Sequence, residues 1–243
     1  MSQVGLGRGD LLYRLHGVLM LVAWLGCAGA GMILARYFKR TWKGKQFMDK
    51  DLWFVLHRSL MTLTVLLSIA AVILVMVEAK LDPLALSSLR INAHPVIGLL
   101  CVLLAILQPI MAALRPHPGA DRRPLFNWAH WVVGNSSYLL GLVAMFLAGG
   151  LAKANLSTIS WWTWILMTFV IVHFLVHIIL SIDMARSERS AGVGDTDTGP
   201  KMTLEEEGDG KDRSSSLRVM TVVFYMLVAW AVVIAMITAV FQV

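Results

Sequence analysis

The chain has 243 residues, 58% of them hydrophobic and 15% charged, with a mean hydropathy of +0.71. That is too apolar for a soluble domain of this length, so the polypeptide belongs in a membrane. Its net charge of +6 does not mark a nucleic-acid binder, because the lysines and arginines fall in short loops between apolar runs rather than on one polar face.

Six windows reach the roughly 20 residues that a helix needs to cross a hydrocarbon core: Leu15 to Tyr37, Leu56 to Val77, Val96 to Leu114, Trp128 to Leu151, Trp161 to Ile182 and Val219 to Val243. The expected fold is an all-α bundle of six transmembrane helices. Cys27 and Cys101 both lie inside spans, give no disulfide framework and read as small core residues. After the first span comes a basic loop with Arg36, Lys39, Arg40, Lys43, Lys45 and Lys50, and after the third come Arg115, Arg122 and Arg123. Basic loops stay on the cytoplasmic side, so both termini are expected outside or in a lumen. The acidic, Gly- and Ser-rich stretch from Arg186 to Arg218 cannot bury a core. The expected division is therefore a short outer tail at 1–14, helices at 15–183, a flexible cytoplasmic linker at 184–217 and a sixth span at 218–243.

Seven histidines stand out, most of them within or at the ends of apolar helices, where an imidazole is costly unless something binds it. Four of them occur in a repeat. Leu15-His16 through Leu19-Met20 and Leu56-His57 through Leu60-Met61 both read L-H-x-x-L-M. Ala93-His94 through Gly98 and Ala129-His130 through Gly134 both read A-H-x-V-[IV]-G. Successive spans run in opposite directions, so each motif occurs once near each face, as an inverted repeat would place it. His16 and His94 then meet near the outer face and His57 and His130 near the inner one. Four residues on, Met20 or Met61 offers a soft side chain, and Gly98 or Gly134 offers room for a flat macrocycle. Two facing imidazoles per site suit a low-spin haem iron that transfers electrons, whereas structural zinc would want four converging ligands. At ~1.5 Å per residue the two sites lie roughly 20 Å apart in depth.

The remaining features have plainer explanations. His173 and His177, one turn apart, are expected to support the inner site or to bond between helices rather than to ligate. His117 lies in a loop. Trp53, Trp128, Trp131, Trp161, Trp162 and Trp164 crowd span ends, as an aromatic belt does. Gly26, Gly29 and Ala30 allow close helix packing.

The four histidines in four successive helices, paired first with third and second with fourth, resemble the cytochrome b561 superfamily. So do the Ala35-Arg36-Tyr37-Phe38-Lys39 end of the first span, Gln108-Pro109 followed by Arg115-Pro116, and Phe126-Asn127-Trp128-Ala129-His130-Trp131. The likeness is strongest to the membrane part of its ferric-chelate reductase branch, without the DOMON and reeler domains that precede the helices there.

The resemblance implies a four-helix core with two haem b groups, whose iron has His16, His94, His57 and His130 as axial ligands. It also implies a cytoplasmic donor such as ascorbate, and ferric chelate or monodehydroascorbate as outer acceptor, which makes the protein a transmembrane ferric reductase in a plasma or vesicle membrane. Arg36, Lys39, Arg115, Arg122 and Arg123 are the candidates for binding the reductant, and Lys80, Arg90 and Asn92 for the outer acceptor. No nucleic acid is expected as partner, no residue is expected in a covalent catalytic role, and a homodimer stays open. Two alternatives differ in class: a haem-free proton or metal transporter using the histidines, and an anchor subunit fed with electrons by a partner protein.

Overall fold

The computed structural model describes residues 8–78, 93–117, 119–151, 161–196 and 204–242. Helix α1 covers residues 8–41, α2 Leu52–Glu78, α3 Ala93–Ala113, α4 Arg123–Ala148, α5 Trp161–Thr196 and α6 Leu204–Gln242. All six contain a stretch long and apolar enough to cross a membrane, matching the six expected spans. A hairpin of β1 (Gln46–Phe47) and β2 (Lys50–Asp51) joins α1 to α2, turning at Met48 and Asp49 with positive φ.

Helix α1 is the axis of the bundle. In its most apolar stretch 67% of residues are buried, against 17% in α2 and α3. Two π-helical segments, Val22–Ala28 and Leu34–Phe38, interrupt it and widen the backbone where other helices press in. Helices α3 and α4 pack as an antiparallel pair, as do α5 and α6, and α2 and α6 both lie along α1. Apolar side chains left exposed on the outer faces, such as Leu66, Leu103, Trp164 and Leu227, present the hydrocarbon surface that lipid requires.

Gly29 shows how closely the bundle is fitted. A Cβ there would collide with the Tyr225 hydroxyl and lie 2.9 Å from that of Tyr138. Gly29→Ala is expected to destabilise the bundle by about 1–3 kcal/mol through overpacking, read as a lower thermal midpoint in detergent. Gly26 similarly receives the Trp230 indole.

Three expectations change. Helix begins at Arg8, so part of the tail expected at 1–14 is already wound. Helix α5 continues to Thr196 and α6 starts at Leu204, so much of the expected linker is helical, its inner ends tied by the Asp183–Arg218 and Arg40–Glu188 ion pairs. Trp162 is 4% exposed and packs against Gly149, so it belongs to the core rather than to the aromatic belt.

Candidate functional site

Three of the four repeat histidines share one arrangement. His16 Nδ1 lies 2.9 Å from the Ala71 carbonyl oxygen on α2, His57 Nδ1 2.9 Å from that of Gly31 on α1, and His94 Nδ1 2.8 Å from that of Ala144 on α4. A carbonyl can only accept, so Nδ1 carries the proton and Nε2 keeps its lone pair. Each bond crosses to a neighbouring helix and locks the ring's tautomer and direction, as the outer hydrogen bond of a metal-ligating histidine does.

His130 is held differently. Phe126, one turn earlier on α4, stacks on its ring at 5.6 Å between centroids. The Gln108 amide stands on the other helix. With its nitrogen toward the ring it donates to the His130 carbonyl oxygen at 3.1 Å and to Nδ1 at 2.8 Å, and its oxygen accepts from Gly134 N–H. With the amide turned over, its oxygen faces Nδ1 and Nε2 is freed as in the other three, at the cost of setting that oxygen against the His130 carbonyl oxygen and the amide nitrogen against Gly134 N–H. Ligation at His130 Nε2 therefore requires the second orientation.

Two of the four rings face each other across the bundle. The rings of His16 and His94 lie 6.3 Å apart, centre to centre. Two metal–nitrogen bonds of about 2 Å, added to the two ring half-widths, span that gap. Beside His94, one turn on, a Cβ at Gly98 would meet nothing within 4 Å, which is the open space a flat ring needs. At the other end His57 and His130 are close enough to influence each other, and Arg115 acts on both. Along α1 the two levels are marked by His16 and by Gly31, which holds His57. At ~1.5 Å per residue these are about 22 Å apart. Trp24 fills the layer between them, its indole N–H donating to Ser68 Oγ at 3.1 Å and its ring lying against Gly141.

Cations gather at the His57/His130 end. Arg115 and Arg58 lie 5.9 and 5.8 Å from the centre of the Phe54 ring, and Lys39 Nζ lies 5.9 Å from that of Trp53. Arg36 leans on Tyr37 and Arg123 on Phe126. Arg123 and Asn127 also line a shallow open recess with Gly119, Ala120, Asp121 and Pro124, and the neighbouring Arg122 precedes α4. Burial and the nearby Arg123 lower the Arg115 pKa, which still leaves a guanidinium charged. Arg58 was passed over in the sequence, although a charge directly after a candidate ligand inside an apolar run is a usable signal.

Of the other sequence candidates, His117 is exposed in its loop, and Lys80, Arg90 and Asn92 lie outside the described residues. His173 and His177 bond between helices, to Tyr225 of α6 and Tyr37 of α1. Tyr138 and Tyr225 drew no attention in the sequence, because a lone tyrosine in an apolar span looks like any core aromatic.

A family profile described as eukaryotic cytochrome b561 matches residues 15–158, which take in most of α1, all of α2 to α4 and the four repeat histidines. The chain belongs to the cytochrome b561 family. A putative ferric-chelate reductase 1 homolog of Drosophila melanogaster is 46% identical over 75% of the chain, and covers 27% of that protein's length. Ferric-chelate reductase 1 of Mus musculus is 36% identical, and that of Homo sapiens 34%, each over 81% of the chain and 32% of the relative. The chain thus spans about a third or less of the length of these relatives. No solved structure matches it.

For a cytochrome b561 protein the cofactor that follows from the family is haem b, and the residues present fit it. Carbonyl-locked imidazoles with free Nε2 atoms, a 6.3 Å ring separation and the open flank of Gly98 are what a bis-histidine macrocycle requires. The family and the six spans make the chain a multi-pass membrane protein of the cytochrome b561 family.

Proposed function

We propose that the chain moves single electrons across the membrane, from an anionic cytoplasmic donor such as ascorbate to ferric iron on the opposite side. In this reading His16/His94 and His57/His130 each hold one haem b. The observation that carries it is the approach of the His16 and His94 rings to 6.3 Å, with three of the four repeat imidazoles locked by a carbonyl of a neighbouring helix. Haem b supplies a one-electron couple without an open coordination position.

The protein's own groups do the rest. The carbonyls of Ala71, Gly31 and Ala144 keep Nε2 aimed inward, and the α1 spine keeps the two levels apart. Trp24 and Ser68 close the middle layer to water. Arg58 and Arg115, with Lys39, Arg36, Arg122 and Arg123 around them, raise the local concentration of an anion at the basic end. Basic residues also set that end toward the cytoplasm, leaving both termini outside or lumenal in a plasma or vesicle membrane. Ferric chelate is the preferred substrate on the acceptor side and monodehydroascorbate the competing one, with Lys80, Arg90 and Asn92 the candidates by sequence for meeting it.

The test is a reduced-minus-oxidised spectrum of the purified chain, with the haem counted per protein. Two b-type haems reducible by ascorbate are expected. A chain without b-type bands sinks the reading in favour of a haem-free transporter, and bands that respond only to a partner protein favour an anchor subunit. Arg115→Glu is expected to slow reduction by ascorbate about tenfold at low salt, with the spectrum unchanged. Gly98→Leu is expected to lower haem occupancy at the His16/His94 site while leaving the thermal midpoint within about 1 kcal/mol equivalent, because its side chain enters open space.

A further inference from the structure

A second line of polar side chains runs along α1, outside the four repeat histidines. It begins at the basic end, where exposed Arg36 donates from Nε to the Tyr37 hydroxyl at 3.2 Å. That hydroxyl lies 3.0 Å from His177 Nδ1, 3.0 Å from the His177 carbonyl oxygen and 2.9 Å from Ser181 Oγ. A phenol has one proton and two acceptor positions, so with four polar groups in range its proton has alternative destinations. The His177 ring lies 4.7 Å from that of His173, centre to centre. His173, 4% exposed, places Nδ1 3.1 Å from the Tyr225 hydroxyl. Tyr225 and Tyr138 then converge on Gly29, where both hydroxyls press against the α1 backbone.

This line enters from the basic end and stops inside the bundle. Its markers on α1 are Tyr37 and Gly29, about 12 Å apart along the axis. Gly31, whose carbonyl holds His57, lies between them. The line therefore runs beside the His57 level, with the same stretch of α1 holding both. A charge that appears at one of the two places is felt at the other through a medium of low dielectric constant. Among the described residues no three His, Cys, Asp or Glu side chains converge, so His173 and His177 lack the partners of a metal site. The groups facing the histidine pair are Arg36 and Tyr37 from α1, Tyr138 from α4, Tyr225 from α6 and Ser181 from α5 itself. One turn further toward the basic end lies the Asp183–Arg218 ion pair.

We infer that Tyr37, His177, His173 and Tyr225 form a proton branch, through which reduction of the protein draws one proton from the cytoplasmic side onto the His173/His177 pair. This rests on the electron-transfer reading. The donor supplies the electron, water at the Arg36 end supplies the proton, and the same proton returns along the branch when the acceptor takes the electron away. Tyr37 is the gate in this scheme and the histidine pair the store.

The experiment is a spectroelectrochemical titration of the purified full-length chain between pH 5.5 and 8.5, paired with dye-detected proton uptake after rapid reduction. In the parent protein the midpoint potential of one b-type component is expected to fall with pH, approaching ~59 mV per unit for one proton per electron. His173→Phe and His177→Phe are expected to remove at least half of that slope with the b-type bands intact. Tyr37→Phe is expected to keep the equilibrium slope but slow proton uptake at least tenfold, an effect that a merely structural contact would not produce. If the histidine variants fail to fold, the Tyr37→Phe kinetics decide alone. Histidine variants with the parent slope, a parent potential independent of pH, or unchanged uptake in Tyr37→Phe each overturn the branch while leaving electron transfer standing. A parent chain without b-type bands overturns both readings.

Discussion

His16→Ala is expected to remove one of two b-type haems, roughly halving the haem per protein, and to leave the other reducible. The reason is the separate construction of the two sites. His16 faces His94 with ring centres 6.3 Å apart, whereas His57 and His130 sit with Arg115 at the other end. His94→Ala should reproduce the His16→Ala spectrum, and His57→Ala and His130→Ala should share the converse one. Because electrons would have to pass both levels, all four variants are expected to lower ferric reduction by at least about a hundredfold, more than 2.7 kcal/mol in the barrier. Low-temperature difference spectra check the grouping. If His16→Ala and His57→Ala lose the same component, the pairing by depth is wrong.

Arg218→Ala is expected to destabilise the bundle by about 3 kcal/mol, seen as early unfolding in a detergent thermal scan. Arg218 is 6% exposed, and its guanidinium joins three partners, Asp183 and Ser187 on α5 and Thr41 at the end of α1. Truncation leaves the Asp183 carboxylate buried among groups arranged for a cation, which is the expensive way to break a buried pair. Arg218→Lys should recover only part of the loss, since one ammonium cannot reproduce the fork that reaches three separate acceptors. The double variant Arg218→Leu with Asp183→Leu removes both charges and should be more stable than Arg218→Ala. A double variant that is equally unstable would count against this account.

Much of the candidate site was legible in the chain. Imidazoles within apolar spans are conspicuous, and a motif repeated with alternating direction assigns depth without any coordinates. Other parts were hidden because their cause is not local. Nothing near His57 reveals that its Nδ1 proton goes to Gly31, a residue 26 positions earlier. Tyr225 and Tyr138 acquire meaning only because Gly29 lets both hydroxyls reach the α1 backbone. Arg58 was visible but read as part of a motif, and only its place around Phe54 with Arg115 joins it to the basic end. In the stretch expected as linker, composition did not anticipate that α5 continues to Thr196 and α6 starts at Leu204, because an α-helix satisfies its own backbone whether or not its side chains bury.

What the amino-acid sequence determined by itself was the number of spans, and it supplied expectations for their direction and for the depth of the four histidines. Hydrocarbon thickness and loop charge act on the chain one segment at a time, so a linear reading captures them. The tertiary structure alone decided which nitrogen of His16, His57 and His94 is free, that α1 is the buried axis, and that Tyr37, His177, His173 and Tyr225 stand in line. Those are contacts between segments far apart in the chain, such as Tyr37 with His177, 140 positions on, and they exist only once the helices have packed. Directional hydrogen bonds and steric fit depend on distances of a few ångströms, and no pattern along one strand of sequence encodes them.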